Sequence, residues 1–421
     1  MKAKIALAKT DKIRYAFLGF SPKEDPMLLT EKSHGQIIPF ESNQLSVPLS
    51  KREKKALKDR IVKLSERFRE AIVSGDKNYL RTLHLASKDF VSGRFYPNVW
   101  RLYKKHSHRF IDGKDLDPQK IRVSLKFVEE KSEWEDLFRI SRHTWSIPYS
   151  KGYGRRMRFV VYDEYHDAVI GIIGFQSPPA DLSCRDSLFQ YPPNRKLSFV
   201  NRTMDVYTIG AIPPYSNILG GKLVAGLVSC DEIRQAYWRA YAGKRTIMEK
   251  ERIRQPLVAV TTTSAFGRSS IYNRLKYQKR LLAEPIGFTQ GYGTVHLEEV
   301  YPDVVRLLRS ETSDFVTGGY GVGPKIRWQH FTKALELLGL PYSCFNHGLR
   351  REVFLFRFFD GLEEGMSGGE FGRPFNLAVS EYSDFWMKRW ALPRSEREKG
   401  WREFLAKPYF AELLRQGSEG D

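Results

Sequence analysis

Asn217, Gly220, Gly221 and Lys222 have the types and spacing of an anion site. They lie between an apolar, strand-like run at 205–212 and a helical run that opens at Leu223. A strand, a glycine turn and a helix N-terminus present backbone N–H groups that have no partner within the helix. Glycines let a phosphate approach the backbone closely, and the Lys222 ammonium adds charge. The ligand would be a CoA-like cofactor, DNA or RNA. The same pattern also serves an ordinary tight turn between a core strand and a core helix.

A second chemistry lies in the charge. The 421 residues carry 69 Lys and Arg against 49 Asp and Glu, a net +20, which points to a polyanion partner or to a generally basic surface. Arg101, Lys104, Lys105 and Arg109 are interleaved with Trp100, Tyr103 and Phe110. Aromatic rings that stack on bases, beside cations that hold phosphates, suit single-stranded nucleic acid; alternatively these rings anchor the segment to the next domain. Arg155, Arg156, Arg274, Lys276, Lys325 and Arg327 complete the candidate phosphate contacts. Lys325 and Arg327 follow a glycine-rich loop, 318–323, that lacks the Gly-Lys-Ser/Thr of a phosphate-binding Walker loop.

His106 and His108 have no Cys or carboxylate at ligand spacing, so no metal site is expected. Mg²⁺ enters only if the chain is a nuclease, through a cluster such as Asp163, Glu164 and Asp205. Cys184, Cys230 and Cys344 are widely spaced and odd in number, which fits a reducing cytoplasm. No apolar run approaches the roughly 18 residues of a membrane span, and the apolar segment in Met1-Lys-Ala-Lys-Ile-Ala-Leu-Ala-Lys-Thr10 is too short for a signal peptide to be expected.

The elements that must position these residues follow from patterning. Ser50-Lys-Arg-Glu53 is a capping box, and Leu57, Ile61, Leu64, Phe68 and Ile72 recur on one helical face behind a strongly basic one. Asp76 caps a second helix through Leu85. From residue 120 the order reads strand, helix, two strands joined by a turn at 163–167, strand (205–212), glycine turn, helix, strand (255–263), short helix (269–277), and final strands within 286–297. The run 353–359 reads as a further buried strand. Four regions result: an irregular arm at 1–48, a basic helical region at 49–118, an α/β core at 119–300 and a mostly helical region at 301–415.

This order, with the glycine turn after the fourth strand, resembles the GNAT acetyltransferase superfamily, in which that turn grips the pyrophosphate of CoA. The fold class is therefore α+β, with a GNAT-like mixed sheet flanked by helices. Gly220 matches the family's first turn glycine, whereas Asn217 stands for its Gln/Arg and Lys222 for its second small residue. The resemblance places Tyr272, in Ile271-Tyr-Asn-Arg-Leu-Lys-Tyr277, on the family's general acid, and Asp205 is a candidate base.

Longer stretches carry a second resemblance: 211–224, 262–275, 286–293, 321–327, 347–351 and 385–390. They resemble the family built on the domain of unknown function 4338, the DruA family of Druantia anti-phage defence systems. The resemblance implies a bacterial defence component; other subunits of such a system are expected partners, and a purely structural adaptor to a partner helicase or nuclease is a further alternative. Related domains attached to transposases point to DNA. It implies no established reaction, which leaves an active acyltransferase and a metal-dependent nuclease open as enzymatic alternatives.

Overall fold

The computed structural model describes residues 48–147, 154–246, 250–267, 269–312 and 324–414. Leu49–Asp421 forms one unit, separate from Met1–Pro48, and every element below belongs to it. The expected arm at 1–48 lies, but for Pro48, outside the described residues, as does the glycine loop up to 323.

Helix α1, Lys51–Ser74, opens on the capping box read from sequence: the Ser50 hydroxyl accepts from Glu53 N, and the Glu53 carboxylate accepts from Ser50 N. Gly75 closes it in a left-handed conformation. The Asp76 carboxylate caps α2, Lys77–Ser92, which runs further than its apolar spacing suggests. Next come α3, Tyr96–Lys105, β1, Val123–Phe127, and α4, Glu133–Ser141. Then follow β2, Met157–Asp163, β3, Ala168–Gln176, β4, Thr203–Ala211, α5, Gly220–Leu227, α6, Asp231–Tyr241, and β5, Ala259–Thr263. The last part holds β6 (Lys276–Tyr277), β7 (Arg280–Leu281), β8 (Glu284–Phe288), α7 (Tyr301–Glu311), α8 (Pro324–Leu337), β9 (Glu352–Arg357), α9 (Val379–Trp386) and α10 (Ala406–Leu413).

Seven strands form one mixed sheet in the order β1-β2-β3-β4-β5-β9-β8. All neighbours are antiparallel except β4 and β5, which run parallel over Thr203–Val206 and Ala259–Thr262. A parallel pair needs a long crossover, and residues 212–258 supply it with α5 and α6. β9, from the stretch read as mostly helical, lies between β5 and β8. The expected helix at 269–277 is instead a run of turns leading into the β6–β7 hairpin. Arg274 has φ 55 there, which an α-helix cannot accommodate.

One sheet face buries Met204, Val206, Val260, Phe354 and Phe356 against α5, α6 and α9. The other carries two apolar patches: Val160, Tyr162, Val169 and Ile172 under α3, α4 and α10, and Ala259 and Leu355 under Leu362, Met366, Phe189 and Phe199. A separate cluster joins Leu57 and Ile61 of α1 to Val304, Leu307 and Leu308 of α7 and to Phe331, Ala334 and Leu335 of α8.

Helix α9 clamps α5. The Tyr382 hydroxyl donates to Lys222 O at 2.8 Å, and Trp386 Nε1 donates to Leu219 O at 3.0 Å. A Cβ on Gly226 would stand 1.9–2.2 Å from the Tyr382 ring. Overpacking of this kind costs about 1–3 kcal/mol, so Gly226→Ala should lower the melting temperature by several degrees. An unchanged melting temperature would show that the contact is not tight.

Candidate functional site

The glycine turn is a strained, packed corner. Leu219 sits at φ 65, ψ 29, uncommon for a branched side chain. Gly220 is required by packing, because a Cβ would lie 2.7 Å from Tyr215 O and 2.9 Å from the Ala211 Cβ. Gly221 leaves ordinary contact distance, 3.4 Å, to Ile271. Lys222 Nζ donates to Asn273 O at 2.6 Å, and burial pulls its ammonium down to about 8. Asn217 is exposed at the edge of the corner. The fully buried Asp163 steadies the approach: it accepts from the Tyr215 hydroxyl at 2.9 Å, from His166 Nδ1 at 2.6 Å and from Arg122 N at 3.0 Å.

Tyr272 and Asp205 lie on opposite faces of the sheet. Tyr272 is buried, its ring 4.9 Å from that of Phe354, and its hydroxyl is 3.4 Å from Thr262 Oγ1. Burial raises that hydroxyl to about 12. Asp205 accepts from Thr261 Oγ1 at 2.8 Å and from Gln176 Nε2 at 3.0 Å. Thr261 and Thr262 are successive strand residues, so their side chains leave opposite faces. An acid and a base acting on one reacting centre need to share a face.

The carboxylates considered for Mg²⁺ do not converge. Asp163 pairs with Ala168 at one end of β3 and Asp205 with Gln176 at the other, roughly 25 Å away at about 3.3 Å per residue. Glu164 is taken by Lys126 and Ser124. Among the described residues no group of three His, Cys, Asp or Glu is arranged to hold a metal ion. His106 is committed to Asp136 at 3.1 Å.

The candidate cations divide into committed and uncommitted sets. Arg109 binds Glu133, Asp167 and the Tyr162 hydroxyl. Arg155 reaches the Tyr237 hydroxyl and the carbonyls of Asn201 and Thr203. Arg327 is paired with Glu298. Lys105 lies 3.5 Å from Asp136, and Arg101 contacts Asn98. Lys104 is exposed on the surface; Arg156 is exposed too but is not without a partner. Lys325 belongs to α8, but its side chain is outside the described residues. Arg274 and Lys276 are exposed, and Arg274 directly follows the carbonyl that holds Lys222. The rings of the 96–110 segment anchor it: Tyr96, Trp100, Tyr103 and Phe110 are buried in one cluster with Phe410. They are not available to stack on bases.

Charge patterning on α1 also carries uncommitted cations. Lys54 and Arg60 turn toward α7, where they pair with Glu311 and Asp303, each at 2.7 Å. Lys51, Arg52, Lys55 and Lys63 stay exposed with no ion-pair partner among the described residues. Arg351, one residue before β9, was missed by sequence reading; only its proximity in space to Asp205 marks it.

A mixed α+β protein with a mostly antiparallel seven-stranded sheet is the class this architecture defines. The family description "Druantia protein DruA" matches residues 74–368, and the chain belongs to that family. A Druantia protein DruA from Escherichia coli (strain UMEA 4076-1) is 33% identical over 342 residues, covering 79% of this chain and 84% of that protein. No solved structure matches the chain. No helix among the described residues is long and apolar enough to cross a membrane.

Burial raises the Asp205 carboxyl to about 6, against the hydrogen bonds from Gln176 and Thr261 and the charges of Arg185 and Arg351. The folded state thus holds this proton more tightly than the unfolded chain, whose Asp titrates near pH 3.9. The resulting stabilisation is present below about pH 4 and is lost as pH rises through about 6. Asp205→Asn should therefore melt higher than the parent at pH 7.5, with the gap shrinking toward pH 4. A gap independent of pH would contradict the raised carboxyl.

Proposed function

We propose that this chain is a component of a Druantia anti-phage defence system that binds nucleic acid, DNA favoured, through a basic surface around a GNAT-like core. Family membership supports the defence role. The observation that carries the binding role is the set of uncommitted cations: Lys51, Arg52, Lys55 and Lys63 on α1, and Arg274, Lys276 and Lys279 at the β6–β7 hairpin. Cations that serve only the fold are paired, as Lys54 and Arg60 are with acids of α7. Exposed and unpaired cations at helical spacing repel one another unless a polyanion meets them.

The GNAT-like reading is supported by the glycine turn following the fourth strand and by the parallel β4–β5 pair beside it. In open sheets, ligands favour the carboxyl end of a strand where the topology switches. Other subunits of the defence system, a helicase among them, are the protein partners in this reading.

Fluorescence anisotropy with labelled duplex and single strands tests the binding. Affinity should fall steeply between about 50 and 200 mM salt, because each neutralised phosphate releases counterions. Combining Lys55→Glu with Lys63→Glu should weaken binding at least about tenfold and flatten the salt slope by roughly 2. No binding at about 50 mM salt would end the proposal.

A further inference from the structure

The sheet face opposite the glycine turn carries polar groups in mid-sheet, between its two apolar patches. Asp205 pairs directly with Gln176 of β3 and with Thr261 of β5, and both neighbours donate to its carboxylate. A carboxylate only accepts, so the Gln176 amide must offer it the NH₂ group. Its carbonyl oxygen, Oε1, then turns away. Gln176 is 9% exposed, and this oxygen is buried without a hydrogen-bond partner. An acceptor left so is costly in a folded protein.

Two arginines act on Asp205. Arg185 is spent: fully buried, it binds Asp186 and the carbonyls of Pro179 and Ala180. Arg351 is exposed, and its guanidinium has no hydrogen bond or ion pair among the described residues. It precedes β9 on the same alternation as Val353 and Leu355, the residues that face Thr263 and Thr261. A purely structural pair would bring guanidinium and carboxylate into contact, since a buried charge is stable only when paired. Here the cation stands apart from the carboxylate it influences, and an orphan acceptor lies beside that carboxylate.

We propose that Gln176, Asp205 and Arg351 form a nucleotide site, with the Gln176 carbonyl and the Asp205 carboxylate accepting from the base and Arg351 holding a phosphate. The choice of a nucleotide rests on the nucleic-acid reading above. Two adjacent acceptors match the base edge that offers two adjacent donors, the N1–H and N2–H₂ of guanine. Adenine, cytosine and thymine each offer a single donor group on that edge. The nucleotide is either free or part of a strand, turned out of the stack to reach the site.

The test titrates the full chain by calorimetry with GMP, AMP, CMP and TMP, and by anisotropy with single strands that contain or lack guanine. GMP, or the guanine-containing strand, should bind at least about tenfold tighter than its counterparts. Asp205→Asn should remove that preference, and Arg351→Gln should weaken binding of all four nucleotides alike, each while melting cooperatively. Binding of GMP identifies a free nucleotide; a preference seen only with strands identifies a strand nucleotide. Combining Lys55→Glu with Lys63→Glu should leave GMP binding unchanged. Strand binding that is lost with the α1 variant but shows no guanine preference, a preference that Asp205→Asn keeps, or nucleotide binding that Arg351→Gln leaves unchanged, overturns the site and spares the basic-surface reading. If no strand binds at about 50 mM salt, that reading fails, and the GMP titration alone decides the site: GMP binding lost in both variants upholds it, and no GMP binding overturns it.

Discussion

The parallel contact between β4 and β5 is the constraint on which the rest of this structure depends. It spans only Thr203–Val206 against Ala259–Thr262, in a sheet that is otherwise antiparallel. A hairpin cannot join parallel strands, so the chain must leave the sheet after Ala211, turn at Leu219 and Gly220, and return through α5 and α6. That detour covers one face with Leu223, Val224, Leu227 and Ile233, and α9 seals it. β4 continues past its contact with β5, paired with β3 alone from Thr208 to Ala211. Asp205 lies within the contact, between Gln176 of β3 and Thr261 of β5, on the sheet face opposite α5 and α6.

Charge separates structural from available residues in the same molecule. Arg109, Arg155, Arg185 and Arg327 hold carbonyls, carboxylates or phenols and tie segments together. Exposed pairs such as Lys54–Glu311 contribute about 0–1 kcal/mol each, so they orient α1 against α7 more than they stabilise it. The apolar seam of Leu57 and Ile61 against Leu307 and Phe331 supplies the holding force. Lys51, Arg52, Lys55 and Lys63 of α1 and Arg274, Lys276 and Lys279 at the β6–β7 hairpin carry charge without an ion-pair partner among the described residues.

Local chemistry was readable from sequence where one short motif decides the outcome. The Ser50 capping box, the Asp76 cap and the buried run at 353–359 are of this kind. Outcomes decided by tertiary partners were not readable. The apolar run shows that β9 is buried but not that it lies between β5 and β8. The aromatics of 96–110 look equally suited to bases or to a core, and partners distant in sequence, Phe138 and Phe410 among them, settle them in the core. Tyr272 and Asp205 carry no mark in sequence that the sheet separates them, because the parity of Thr261 and Thr262 matters only once β4 has paired with β5. Arg351 is one arginine among many until the fold sets it near Asp205.

The central claim is that nucleic acid meets this chain along the uncommitted cations and the Asp205 face, and not along the buried rings of the 96–110 segment. Ultraviolet crosslinking of the full chain to a guanine-containing single strand, with the crosslinked peptides mapped by mass spectrometry, tests it most directly. The account predicts crosslinks in 51–67, 274–281 and 350–353. Crosslinks concentrated in 96–110, or none in a sample where binding is measured, would contradict it.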